Sequence, residues 1–250
     1  VILLFKQKRT QKLGSGVFTV ARKVLPKQNR KAKAGALTGK VIKPLWGAST
    51  TQEGLRLKRL VAEYGAKLER AGINALPTMV RFTAKRANSN KVFLIQPFVE
   101  KRLILTNYFK HCSPKEAVRI FEELHESILK MADSNKKNKH KFGMDISPEN
   151  FAIVDGKLTL IDLYPPFVMN SEEITSRDLI QKARGAIVMQ IKNNIAPSYF
   201  NRRAEYEIQK RLTPEKLRQR ILKKFSALRP ELREEFKKIN NKYSSKFRVP

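Results

Sequence analysis

The sequence predicts an α+β chain of two lobes: a β-rich lobe with one helix over residues 1–99 and a mainly helical lobe over residues 100–250. Three observations carry that expectation. Short β-branched and apolar runs, bounded by glycine-rich and polar turns, fill the first part. Pro-led helix starts, Ser113-Pro114-Lys115-Glu116 and Thr213-Pro214-Glu215, occur in the second. Between them, Asp155-Gly156 separates two alternating apolar segments, a strong signal for a tight hairpin.

Taken in order, "KLGSGVFTVARKVL" (Lys12–Leu25) is β-branched around a glycine turn and reads as a hairpin. "PKQNRKAKAGALTG" (Pro26–Gly39) is a polar, lysine-rich loop, and "KVIKPL" (Lys40–Leu45) is a short strand that Pro44 ends or places at an edge. From about Thr51 to Ala71, the residues Leu57, Leu60, Val61, Tyr64 and Leu68 form one stripe at helical spacing, and Gly72 supplies the stop. "TMVRFTA" and "KVFLIQPFV" follow as strands joined by "KRANSN". The capping box at Ser113 opens a helix to about Ala132, with Val118, Phe121, Leu124, Ile128 and Leu129 as its buried face. Helices are also expected from Thr213 and from Glu231 onward.

Composition narrows the function classes. The net charge of +30 creates a field that attracts polyanions: nucleic acid, a phospholipid surface or a phosphorylated substrate. No Asp or Glu precedes Glu53. Cys112 is the single cysteine, which excludes an internal disulfide and a cysteine-based zinc site, and it fits a reducing, cytoplasmic compartment. His111, His125 and His140 are scattered without ligand spacing, and His125 reads as a packed core residue. No apolar run reaches the length of a membrane span, so attachment to a membrane would be peripheral. The opening "VILLF" is too short for a signal sequence, and without an initiator Met the chain is expected to begin partway into a longer one.

The chemistry-bearing stretch is "DISPENFAIVDGKLTLIDL", Asp145 to Leu163. The hairpin at Asp155-Gly156 folds Asp162 back toward Asp145 and Asn150, so that three hard oxygen donors of the kind Mg²⁺ takes converge. A carboxylate left out of the metal shell can accept a proton from a hydroxyl. "DISPEN" resembles the Asp-x-x-Pro-x-Asn catalytic loop of the protein kinase superfamily, and the hairpin ending in Asp162 is similar to that family's path to its D-F-G aspartate. The resemblance is closest to the compact aminoglycoside-phosphotransferase-like kinases of small molecules and lipopolysaccharide. It spans most of residues 12–165 and is sharp only from Asp145 to Asp162.

The resemblance implies ATP and Mg²⁺ as cofactors, Asp145 as the catalytic base, and Asn150 and Asp162 as metal ligands. "GKVIKPL" resembles the strand that carries the phosphate-binding lysine, here Lys43, and "LGSGVF" resembles a phosphate loop at Gly14 and Gly16, with Thr19 in place of its third glycine. The lysine's acidic partner is expected to be Glu53, one turn before Leu57, with Glu63 on the solvated flank of the helix. "LIQPFVE" resembles the inter-lobe hinge, where backbone groups from Gln96 to Phe98 would pair with adenine. Asp178 would support the catalytic loop or simply begin a helix, and Trp46 reads as core or cleft wall.

The departures carry information too. The family's His-Arg-Asp reads Gly143-Met144-Asp145, Ser147 replaces a phosphate-contacting lysine, D-F-G reads Asp162-Leu163-Tyr164, and Pro165-Pro166 follows with no A-P-E segment. A short segment after Asp162 favours a small or lipid-linked acceptor over a protein. The positive field disfavours polycationic aminoglycosides and favours an anionic acceptor. Competing expectations are an atypical protein serine kinase associated with ribonucleoprotein, and a non-catalytic pseudokinase or nucleic-acid-binding scaffold.

Overall fold

The computed structural model describes residues 10–15, 20–24, 39–45, 51–83, 91–163, 168 and 213–246. Its first part is an antiparallel sheet of β1 (Thr10–Ser15), β2 (Val20–Val24), β3 (Lys40–Leu45), β4 (Met79–Thr83) and β5 (Lys91–Pro97), in the spatial order β1-β2-β3-β5-β4. The expected hairpin is β1–β2, with a register shift between Lys12 and Gly14 that leaves Gly14 opposite Ala21. On the neighbouring inner strands β3 and β5, Ile42 and Leu94 are fully buried.

Helix α1 (Thr51–Arg70) covers the sheet and packs against β4. All five residues of the predicted stripe, Leu57, Leu60, Val61, Tyr64 and Leu68, are buried. Its end is built as foreseen at Gly72, whose φ of 69° only glycine adopts cheaply. The Gly72 N–H donates to the Glu69 carbonyl and the Ile73 N–H to the Leu68 carbonyl, the paired bonds of a Schellman stop.

The remainder is a short helix α2 (Leu105–Tyr108), the long α3 (Pro114–Lys137), a ribbon of β6 (Phe151–Val154) and β7 (Lys157–Leu160), and the helices α4 (Pro214–Leu228) and α5 (Arg233–Lys246). Ser113 caps α3 by accepting from the Glu116 N–H. The helix runs to Lys137, beyond the predicted Ala132, because its last turn is polar and leaves no apolar period to read; Lys136 and Lys137 there suit the negative helix end. Its buried face is also rotated from the expected one. Ala117, Ile120, His125 and Met131 join Phe121, Leu124 and Ile128 inside, whereas Val118 and Leu129 are half-buried.

Aromatic contacts close this helical core. Phe121 stacks on Phe236 at 4.3 Å and meets Phe225 edge-on, and Phe225 meets Phe109 in the same way at 4.8 Å. His125 is fully buried, with Nδ1 3.0 Å from the Phe121 carbonyl and Nε2 3.3 Å from Asn240. Burial lowers its pKa from the ordinary 6.5. The packed-histidine expectation holds. No described helix is long and apolar enough to cross a membrane.

The two parts are stitched together by backbone. After α1, Leu160 donates to the Asn74 carbonyl and Leu76 donates to the Leu160 carbonyl, so the loop lies beside β7. The Tyr64 hydroxyl donates to the Gly143 carbonyl at 2.8 Å.

Candidate functional site

The ribbon is the frame. Asp155 and Gly156 both have positive φ, 49° and 73°, as the two central residues of a type I′ turn require. The register pairs Phe151 with Leu160, and the Ile161 N–H continues the ladder to the Asn150 carbonyl at 2.8 Å. Asn150 and Asp162 are thereby held at the same open end of the ribbon. The Asn150 amide donates to the Asp145 carbonyl at 3.2 Å, which ties Asp145 to this end.

Lys43 enters from the sheet. It sits mid-strand in β3, opposite Leu94, and its Nζ lies 3.1 Å from Asp162 Oδ1. The four residues Lys43, Asp145, Asn150 and Asp162, far apart in sequence, are joined by this chain of contacts. Glu53 falls in the first turn of α1, and its side chain lies outside the described residues. Glu63 is half-buried on another flank and pairs with Lys67 at 3.6 Å, one helical turn away. Gly14 lies in β1, while Gly16, Trp46 and Asp178 lie outside the described residues.

The hinge expectation falls at the end of β5. Gln96 and Pro97 are not in a crossing segment but are the last residues of β5, paired with Val41 and Lys40. The Gln96 side chain is 2% exposed and donates to Thr78 Oγ1 at 2.7 Å and to the Ile161 carbonyl at 3.0 Å. A buried amide must satisfy its polar atoms, and here it does so by fastening β5 to the residue before Asp162. The half-buried Phe98 ring has the Lys23 ammonium 3.8 Å from its centre.

Support for the Asp145 loop comes from residues that sequence patterns did not indicate. Phe142, Met144 and Ile146 are buried at alternate positions, which turns Asp145 outward. Asn135 clamps the Phe142 backbone on both sides, donating to its carbonyl at 2.7 Å and accepting from its N–H at 2.9 Å. With Tyr64 on the Gly143 carbonyl, these bonds anchor the 142–147 loop.

A second surprise is cationic. Asp145 Oδ1 accepts from the Ser147 hydroxyl at 2.9 Å and lies 3.3 Å from the Arg220 guanidinium. The same hydroxyl accepts from Arg220 at 2.9 Å and from Lys224 at 2.7 Å. Lys224 also pairs with Glu149 at 3.2 Å. Leu217, Ile221 and Phe225 bury the core face of α4, and Arg220 and Lys224, one turn apart, occupy the adjoining face toward the loop. Two unit charges about 5 Å apart at an effective dielectric near 20 repel by about 3 kcal/mol, so such a pair needs anions nearby. Asp145 and Glu149 supply them.

Asn150 and Asp162 offer hard oxygens, but no group of three or more His, Cys, Asp or Glu that could hold a metal gathers among the described residues. Such a donor set suits a cation that is completed by phosphate oxygens rather than caged by protein.

The model of DUF6206, a family of unknown function, matches residues 27–199. The chain belongs to that family. A comparison with curated proteins found no match. Within DUF6206 the matched stretch contains Lys43, Asp145, Asn150 and Asp162, whereas Arg220 and Lys224 lie past its end.

Proposed function

We propose that the chain is an ATP- and Mg²⁺-dependent phosphotransferase with a bilobal, protein-kinase-like fold, acting on a hydroxyl of an anionic small or lipid-linked acceptor in the cytoplasm. The observation that carries the reading is the convergence of Lys43, Asp145, Asn150 and Asp162 through the 3.1 Å Lys43–Asp162 pair and the Asn150 bond to the Asp145 backbone. A solvated surface residue would have no reason to cross from the sheet to the ribbon. The net charge of +30 supports an anionic acceptor.

In this reading Asn150 and Asp162 hold Mg²⁺ through their oxygens, and Lys43 orients the α- and β-phosphates. When bound, Mg·ATP supplies the γ-phosphoryl group and its activating charge. Asp145 accepts the acceptor's hydroxyl proton as the acceptor oxygen forms its bond to phosphorus and the bond to the β–γ bridging oxygen breaks, releasing ADP. Gln96, Asn135 and Tyr64 fix the frame on which these groups stand.

The test is a thermal-shift titration with ATP in Mg²⁺ and in EDTA, for the unaltered chain and for Asp162→Asn. Stabilisation by ATP that needs Mg²⁺ and vanishes in the variant is the expected result. Equal stabilisation with and without metal would remove Asn150 and Asp162 from their roles.

A further inference from the structure

The catalytic loop carries Ser147 where the resembling family places a cationic side chain, and three contacts converge on that serine. Its hydroxyl donates to Asp145 and accepts from Arg220 and Lys224, which uses its single donor and both lone pairs. Ser147 itself is 2% exposed, whereas the Arg220 and Lys224 side chains retain 23% and 33% of their exposure. The loop's missing positive charge is therefore present in space, delivered by a helix more than 70 residues downstream.

We propose that Ser147, Arg220 and Lys224 form a phosphoryl-binding site beside Asp145. The ligand is a phosphate group with unesterified oxygens. A planar guanidinium binds two such oxygens in parallel, and an ammonium one turn along α4 adds a point charge. In the resting arrangement the two cations are matched by Asp145 and Glu149. An arriving phosphoryl group takes over these partners, and Asp145 is released from Arg220 to meet a hydroxyl. The inference rests on the phosphotransfer reading for its catalytic meaning, but the site itself binds phosphate whether or not the chain uses ATP. The phosphoryl group has two sources: the terminal phosphate of the nucleotide, or a phosphate on the acceptor.

The experiment measures binding of Mg·ATP, Mg·ADP and inorganic phosphate by calorimetry at a fixed ionic strength of about 0.15 M, which suppresses the diffuse attraction of the basic surface. The chains compared are the unaltered protein, R220A/K224A, and R220A/K224A with S147K. The third variant returns an ammonium to the loop in space vacated by the two truncated side chains.

If the nucleotide is the source, R220A/K224A loses on the order of tenfold or more in ATP affinity relative to ADP, the scale of a charged hydrogen bond, and S147K restores part of it. If the acceptor is the source, the ATP-to-ADP ratio holds while phosphate binding disappears. Either result sustains the site. Unchanged ATP-to-ADP ratio and unchanged phosphate binding in a folded variant overturn it. Should R220A/K224A fail to fold, R220Q/K224Q keeps the hydrogen-bonding shape and is judged by the same two ratios. An unaltered chain that binds phosphate through these residues but shows no Mg·ATP binding sinks the phosphotransfer reading and leaves this site standing; one that binds neither sinks both.

Discussion

Replacing Tyr64 with Phe isolates one bond between α1 and the Asp145 loop. The side chain is 1% exposed, and its hydroxyl donates to the Gly143 carbonyl at 2.8 Å. The ring remains in Tyr64→Phe, so no cavity opens and its edge contact with Phe142, 6.4 Å between centroids, is kept. What is lost is the hydrogen bond, and a buried carbonyl is left short of a partner, which costs about 1–3 kcal/mol. At about 2–4 °C per kcal/mol for a chain of this size, the melting temperature falls by roughly 2–12 °C. Circular dichroism melts supply the first reading. Hydrogen exchange supplies the second, because amides of the 142–147 loop should lose protection more than those of α3. A melting temperature within about 1 °C of the parent, with unchanged loop exchange, would show that this hydroxyl does not anchor the loop.

Other expectations follow from the same geometry. Asp145→Asn keeps nucleotide binding and lowers turnover by on the order of 10²–10⁴, whereas Asp162→Asn damages metal–nucleotide binding; equal loss of binding in both would undo the division of roles. Lys43→Met combined with Asp162→Asn costs less in nucleotide affinity than the two single losses together, since the groups sit 3.1 Å apart and act as a unit; additive losses in the cycle would contradict that. Glu63→Gln breaks only a partly exposed pair with Lys67, and stability should change by no more than about 0.5 kcal/mol in denaturant melts. For His125, burial lowers the folded pKa below 6.5, so the unfolded chain takes the proton first as pH falls. Its contribution is complete above about pH 6.5 and is lost progressively as pH drops toward the folded value. His125→Gln should flatten that part of the stability profile, and an identical slope in the variant would assign it to other groups.

The parts of the fold that were legible were those written in local pattern. The stripe from Leu57 to Leu68 has helical period, Gly72 marks a left-handed stop, and Asp155-Gly156 admits few other conformations. The Asp145–Asn150–Asp162 grouping could be read because a short ribbon fixes where its ends go. The cation pair on α4 could not. Arg220 and Lys224 lie on a helix rich in basic residues, and only tertiary packing of Leu217, Ile221 and Phe225 decides which of them face Ser147. The side-chain role of Gln96 was illegible for a related reason. A strand-end glutamine followed by proline suggests a crossing segment, and nothing local reveals that its amide reaches Ile161. Asn135 was hidden because it lies in the polar last turn of α3, where no apolar period remains to be followed.

The backbone bonds between the 74–76 loop and β7 bear on how the chain can be divided. A cut near residue 100 separates the two lobes read from the sequence, yet it would leave Asn74, Leu76 and Gln96 on one fragment and their partners Leu160 and Ile161 on the other. Each fragment would expose backbone groups that the other normally satisfies, and neither should melt cooperatively alone. Mixed together, fragments 1–99 and 100–250 should regain a shared melting transition by complementation. Folding of the intact chain should also be slow for its helix content, because the ribbon can dock only after contacts more than 80 residues apart in sequence have closed.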